Sequence, residues 1–296
     1  MTASPATIRP PHRLDDVPGW FPVLDQVLFE WLLDRQESDG TTGDLLEVGV
    51  YMGKSAIFLG RHLEAGEHYT VCDLFEGDAP DDANRAESAY SYSSLTRRTF
   101  EENYLAFHEE LPRVLQGPSS VVPGEVKPDS CRFVHIDASH LYEHVHDDIA
   151  AAREALLPGG VVVLDDFRSE HTPGVSIAAW EAVLNRGLKP ICLSTQKLYG
   201  TWDDPEPIQE ALLAMARGRR DCHLSVQQAA GHRIIRLKSK KDMRPPPFPP
   251  SRHASTSPLP PPSPHSPDRT KRLRRLAVDL LPPLVTRALR NARRAR

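Results

Sequence analysis

Leu45-Leu46-Glu47-Val48-Gly49-Val50-Tyr51-Met52-Gly53-Lys54-Ser55 contains a short apolar run, two glycines four residues apart, and a polar start to a new pattern. A continuous apolar run of this length suits a buried strand. Glycine reaches positive φ and carries no Cβ to collide with a ligand crossing the strand ends. Helical spacing resumes from Lys54 to His62. Strand, glycine turn and helix in that order open a doubly wound α/β sheet.

A dinucleotide site at such a turn prefers GxGxxG, with backbone amides facing a pyrophosphate. Here Glu47 stands where the first glycine would be. A carboxylate beside a pyrophosphate is electrostatically unfavourable, but it suits a ligand bearing an ammonium and a sulfonium. The expected cofactor is therefore S-adenosylmethionine (SAM) rather than NAD. Its contacts are expected from Glu47, Gly49, Tyr51, Gly53 and Ser55. Asp73, ending the next strand roughly 20 residues on, is placed to accept from both ribose hydroxyls. Ser119, in the turn after the third strand, is expected near the adenine, although Gly-Pro-Ser runs are often plain turns.

Outward from this unit, strands and helices alternate. Trp20–Leu33 reads as helix, Tyr69–Leu74 as strand, Leu95–Glu110 as helix, Arg113–Gln116 as a short strand and Cys131–Ile136 as a strong one. Helix Val145–Leu156 precedes strand Val161–Leu164. Helix Ser176–Asn185, strand Lys189–Ser194 and a closing strand His232–Leu237 complete a mainly parallel, seven-stranded Rossmann-like sheet covered on both faces. Four segments follow: a loose lead-in (1–17), the α/β domain (18–243), a Pro-rich disordered linker (244–267) and a basic amphipathic tail (268–296). The linker has eleven prolines in twenty-four positions, a composition of extended, coreless chain.

Two strands end in ionisable groups. Phe133-Val134-His135-Ile136-Asp137-Ala138-Ser139-His140 and Val161-Val162-Val163-Leu164-Asp165-Asp166 both emerge where open parallel sheets bind ligands, at the carboxyl ends of the strands. Three carboxylates at one mouth repel each other unless a cation neutralises them. All-oxygen ligands favour Mg²⁺ or Mn²⁺, so Asp137, Asp165 and Asp166 are the expected metal ligands. Such an ion could hold two adjacent hydroxyls of an acceptor and lower the pKa of one. His140, three residues after Asp137, is the expected general base, and methyl transfer needs little beyond an aligned, deprotonated oxygen. Taken singly, an Asp pair is more often a solvated loop and a lone His a packing residue; the upstream pattern reverses that weighting. His135 alternates inward and reads as a core histidine. His144 and His146 read as helix-surface residues.

From about Asp44 to Tyr199 the chain resembles bacterial class I small-molecule O-methyltransferases. Within these it is similar to the metal-dependent macrolide-sugar methyltransferases and the cephalosporin-hydroxylase-type proteins. The segments carrying the likeness are Glu47–Ser55, HIDASHLYEHVHDD and PGGVVVLDDF. The resemblance implies Mg²⁺ held by Asp137, Asp165 and Asp166, with His140 as base and catalysis shared with Asp137. Where those relatives carry Glu-Asp, this sequence has Asp165-Asp166. The implied activity is methylation of a hydroxyl on a sugar or other polyol-containing small molecule. A hydroxylase-like or oxidoreductase member of the fold, or a non-catalytic SAM-binding module recruiting partners through its tail, are the alternatives.

Charge divides along the chain. Residues 269–296 hold ten basic residues and one acidic, leaving 26 basic and 39 acidic residues elsewhere. The acidic body argues against nucleic acid as a partner. Leucines among the arginines of 269–296 suit contact with an anionic membrane surface, such as the inner membrane face. The acidic stretch 76–92, with Tyr90 and Tyr92, is long enough to act as a lid. Four scattered cysteines, no apolar leader and no run of 18 apolar residues together read as a cytoplasmic protein with reduced thiols.

Overall fold

The computed structural model describes residues 10–85 and 95–254. The chain divides into two units, 1–254 and 255–296, and all that follows concerns the first. Tyr90, Tyr92 and the basic tail lie outside the described residues.

The first half runs α1 (Val23–Ser38), β1 (Asp44–Val48), α2 (Lys54–Gly60), β2 (Tyr69–Asp73), α3 (Arg97–Leu105), β3 (Arg113–Gln116) and α4, a single turn (Val122–Glu125). The second runs β4 (Cys131–Ile136), α5 (Tyr142–Ala155), β5 (Leu156–Leu164), α6 (Pro173–Asn185), β6 (Lys189–Leu193), β7 (Leu198–Thr201), α7 (Glu206–Gly218), β8 (Cys222–Ala229) and β9 (His232–Ser239). One sheet holds all the strands, in the order β3-β2-β1-β4-β5-β7-β6-β9-β8. The block β3-β2-β1-β4-β5 is parallel, and β7 runs antiparallel to both β5 and β6.

The sheet has nine strands, not the expected seven. β7 is only four residues long, too short for a periodic signal. β8 forms a hairpin with β9 across Ala230 and Gly231, both at positive φ, the conformation two-residue hairpin turns need. It is mostly exposed and mixes polar with apolar residues, so no apolar run marks it.

Alternation divides the core into two layers. Leu45, Val71, Phe133 and Val163 face α1, α2, α3 and α7, where Phe29 and Phe58 are fully buried. Leu46, Val134, Val162 and Leu164 face α5 and α6 across Ile149 and Ala178. Truncating a ring as enclosed as Phe29 would cost about 3–5 kcal/mol.

Two domain boundaries also move. The lead-in is not loose throughout, because Leu14 and Val17 are buried in the first core layer. The linker was expected to begin at 244, yet residues 244–254 form a strap across the domain. Phe248 stacks on Phe58 and meets Phe107 edge-on. Ser251 donates from Oγ to Pro11 O (2.6 Å) and from its amide to His12 O (2.9 Å). Proline content disfavours a ladder but does not prevent one aromatic anchor from docking.

Candidate active site

The tips of β2, β1, β4 and β5 form a continuous ledge. Past each strand the ladder continues by one bond: Gly49 N to Cys72 O (2.7 Å), Asp137 N to Val48 O (2.7 Å) and Asp165 N to Ile136 O (2.9 Å). Asp73, Gly49, Asp137 and Asp165 therefore stand in a row at the carboxyl edge. Gly49 has φ +85°, and a Cβ there would lie 2.1 Å from Asp137 O. Its bare Cα is what lets the tips of β1 and β4 meet.

Beyond it the turn is braced by Asp73. Val50 N and Tyr51 N donate to Asp73 Oδ2 (2.8 and 3.0 Å), and Phe75 N donates to Oδ1 (2.7 Å). Burial pushes the Asp73 carboxyl upward despite these amides. Asp73 thus shapes the glycine turn with the same carboxylate that was expected to meet the ribose; Oδ2 is filled by two amides, while Oδ1, with one, keeps lone-pair capacity for a further donor. Tyr51 has φ +47° and packs near Trp20, with ring centroids 5.7 Å apart. Gly53 precedes α2 at φ +92°, and Ser55 lies in its first turn. Ser119 opens a short 3-10 turn and hydrogen-bonds the buried Asp148 carboxyl.

Glu47 differs from expectation. Its carboxylate is fully buried in the first core layer, accepting from Tyr69 Oη (2.5 Å) and bonded to His135 Nδ1 (2.8 Å). It supports the ledge from beneath rather than facing the mouth. The physical reason is register: Glu47 pairs with His135, and both point to the same side. His135, fully buried, is the core histidine expected.

The acids at the mouth do gather. Asp137, His140 and Asp166 bring ligand atoms within 4.8 Å of one another, as do His135, Asp137 and Asp165. Burial pushes the Asp137 carboxyl well up, with the neighbouring Asp165 charge adding to it. Asp166 sits at φ +49°, a left-handed position that Asp tolerates better than most residues. Its Oδ2 lies 3.1 Å from His140 Nε2, and Ser169 Oγ donates to Oδ1 (2.6 Å). Burial opposes its charge, but the His140 and Ser169 hydrogen bonds hold Asp166 down at about 2. Gly174 opens α6 against this loop, where a Cβ would lie 2.5 Å from His140 O.

The residue sequence reading missed is Lys197. It sits in the β6–β7 turn with its side chain fully buried, its ammonium paired with Asp165 and 3.1 Å from His135 Nε2. Burial favours the neutral amine, but Asp165, Asp137 and Asp25 keep it charged. Burial likewise opposes the Asp165 charge, and Lys197 more than offsets this to hold the carboxyl low. Nothing local marks this lysine, because the β5-β7-β6 order that brings it under the mouth is non-local.

This alters the metal expectation. Asp165 Oδ2 pairs with Lys197 and its Oδ1 accepts the Asp166 amide (2.7 Å), so both oxygens of this expected ligand already have a donor from within the chain. Asp137 and Asp166, with His140 alongside, present a donor set that fits a divalent ion. His144 also does more than solvate a helix. Its Nε2 is 2.9 Å from Asp81 Oδ2 and its Nδ1 3.0 Å from Ser139 Oγ, tying the acidic loop to the site.

Residues 46–167 match a family model described as a methyltransferase domain. No curated protein matches the chain in sequence. Among solved structures, the O-methyltransferase NovP is 19% identical, covering 60% of this chain and 79% of its own, with a TM-score of 0.51. The TDP-rhamnose 3'-O-methyltransferase CalS11 of calicheamicin biosynthesis is 18% identical over 61% and 80%, TM-score 0.42. The O-methyltransferase TomG of Streptomyces achromogenes, in complex with SAM, is 18% identical over 74% and 79%, TM-score 0.33. Among the described residues no helix is long and apolar enough to cross a membrane. The methyltransferase-domain match thus falls on the glycine turn and the acidic mouth, and the chain shares its fold with NovP.

Proposed function

We propose that the enzyme methylates a hydroxyl of a sugar or polyol-containing small molecule, with His140 as general base and Asp137 and Asp166 holding a divalent ion, Mg²⁺ by the chemistry of the carboxylates. The observation carrying this reading is the convergence of Asp137, His140 and Asp166 ligand atoms within 4.8 Å, beside the glycine turn. A bound divalent ion would supply charge that orients neighbouring hydroxyls and acidifies one of them. His140 takes the hydroxyl proton as that oxygen forms its bond to the methyl carbon and the carbon–sulfur bond breaks. Asp166 fixes the imidazole ring and stabilises the imidazolium that results, as carboxylates do in His-containing dyads. Lys197 holds Asp165 ionised without drawing on the ion, and so keeps the floor of the mouth rigid. Gly49, Tyr51, Gly53 and Ser55 shape the cradle for SAM, with Asp73 toward the ribose and Ser119 toward the adenine edge.

NovP and CalS11 are named as O-methyltransferases, CalS11 of a deoxysugar nucleotide; that chemistry guides the choice of acceptors. The test uses methyl-labelled SAM with a panel of nucleotide sugars, glycosides and catechols, with and without Mg²⁺. His140→Ala should lose about 10²-fold or more in turnover while retaining SAM affinity by calorimetry. Full turnover in His140→Ala would remove the base assignment, and transfer insensitive to chelator would remove the ion. For the basic segment 269–296 we propose reversible contact with anionic lipid. Flotation with phosphatidylglycerol vesicles should distinguish the full chain from one ending at Ala254, and equal binding would dismiss the idea.

A further inference from the structure

Far along α1 from the mouth, Glu30, Asp34 and Glu37 share one stripe at helical spacings of four and three. Like charges so placed oppose the helix. Arg61 Nη2 offsets Glu30 at Oε1 (3.1 Å), which leaves two carboxylates facing His62, just past the end of α2. The His62 side chain is 4% exposed. Its Nδ1 is 3.0 Å from Glu37 Oε1 and 3.7 Å from Asp34 Oδ1. Its Nε2 faces Glu30 Oε2 at 3.4 Å, yet among the described residues neither of those two buried atoms has a hydrogen-bond partner. Ligand atoms of Asp34, Glu37 and His62 all fall within 4.8 Å of one another.

We infer that Asp34, Glu37 and His62 form a second divalent-cation site, of the zinc class, clamping α1 to α2. Three features point there. One imidazole with two carboxylates is a set that late first-row ions take in preference to Mg²⁺. Zinc sits about 2 Å from nitrogen and oxygen donors, so donors around it stand roughly 3 Å apart. Glu37 and His62 already meet that spacing, and Asp34, with 56% of its side chain exposed, reaches it by a rotamer change while leaving an entry path. Lastly, Glu30 stands behind the ring where a carboxylate orients a metal-bound histidine through its other nitrogen. The unbonded His62 Nε2 becomes a donor to Glu30 once Nδ1 is ligated. With Arg61 set against Glu30, the two remaining carboxylates balance one divalent charge.

The test is Zn²⁺ titration calorimetry on the full chain, beside Co²⁺ absorption spectra and melting with and without Zn²⁺. The wild type should bind one equivalent of Zn²⁺ that the Asp34→Asn/Glu37→Gln double variant binds at least 10-fold more weakly. The Zn²⁺-dependent rise in Tm should go with it, and so should the Co²⁺ visible band. Asp166→Asn should leave this equivalent in place, separating it from the mouth. His62→Gln should reproduce the loss; if that variant fails to fold, the double variant, altered only at partly exposed side chains, decides alone. Unchanged stoichiometry and affinity in the double variant would overturn the site.

Discussion

Replacing Lys197 by Met tests the electrostatics of the mouth most directly. The side chain is fully buried, and its ammonium pairs with Asp165 while also facing His135, Asp137 and Asp25. Methionine fills nearly the same volume, so the change removes a charge rather than creating a hole. Deleting one partner of a buried pair costs about 3–5 kcal/mol, because the remaining charge is left uncompensated. For an m value of about 2.5 kcal/mol/M, the urea midpoint should fall by about 1–2 M. Chelator should be present throughout, so that no stray divalent ion takes the place of the ammonium. Adding Asp165→Asn to Lys197→Met removes the orphaned carboxylate and should recover about 2 kcal/mol or more, a coupling typical of residues in contact. A single variant that loses under about 1 kcal/mol, or a double variant no better than the single, would refute the role of Lys197 as internal counter-ion.

Two further perturbations probe the frame. Gly49→Ala forces a side chain into positive φ, about 1–2 kcal/mol by itself, and into the Asp137 carbonyl; SAM affinity measured by calorimetry should fall at least 10-fold, and wild-type affinity would show that the β1 and β4 tips can part. Burial pushes Asp148 up to about 6, so its contribution to stability is present below the unfolded value and lost as pH rises through about 6. At about 1.4 kcal/mol per unit, ionising it costs the fold about 3 kcal/mol; Asp148→Asn should therefore gain on the wild type in urea unfolding above about pH 6 and match it near pH 4, whereas a gap that does not vary with pH would contradict this.

The sheet and the acidic mouth were legible because apolar runs ending in charge announce strand tips, and parallel strands put their tips on one edge. Hence Asp137, Asp165, Asp166 and His140 could be placed together before any coordinates. Glu47 was not legible. β1 is apolar on both faces, so nothing in its pattern says which side an odd polar residue takes; only the pairing of Glu47 with His135 fixes it. Lys197 escaped because a charge in a four-residue turn looks solvated until the crossing order of β5, β7 and β6 is known. The acids' expected need for a cation was physically sound, but part of it is met from within the chain.

The strap at 244–254 bears on how the molecule is completed. Ser251 reaches back 240 positions to Pro11, and Phe248 rests on Phe58 of the helix that follows the glycine turn. During synthesis those bonds become available only after the whole sheet has been made, so the cofactor cradle receives its last brace late. A protease cut near Arg244 would undo that brace without severing one strand, and loss of SAM affinity should then precede loss of the sheet. Trimming for crystallisation or display accordingly belongs after Ala254.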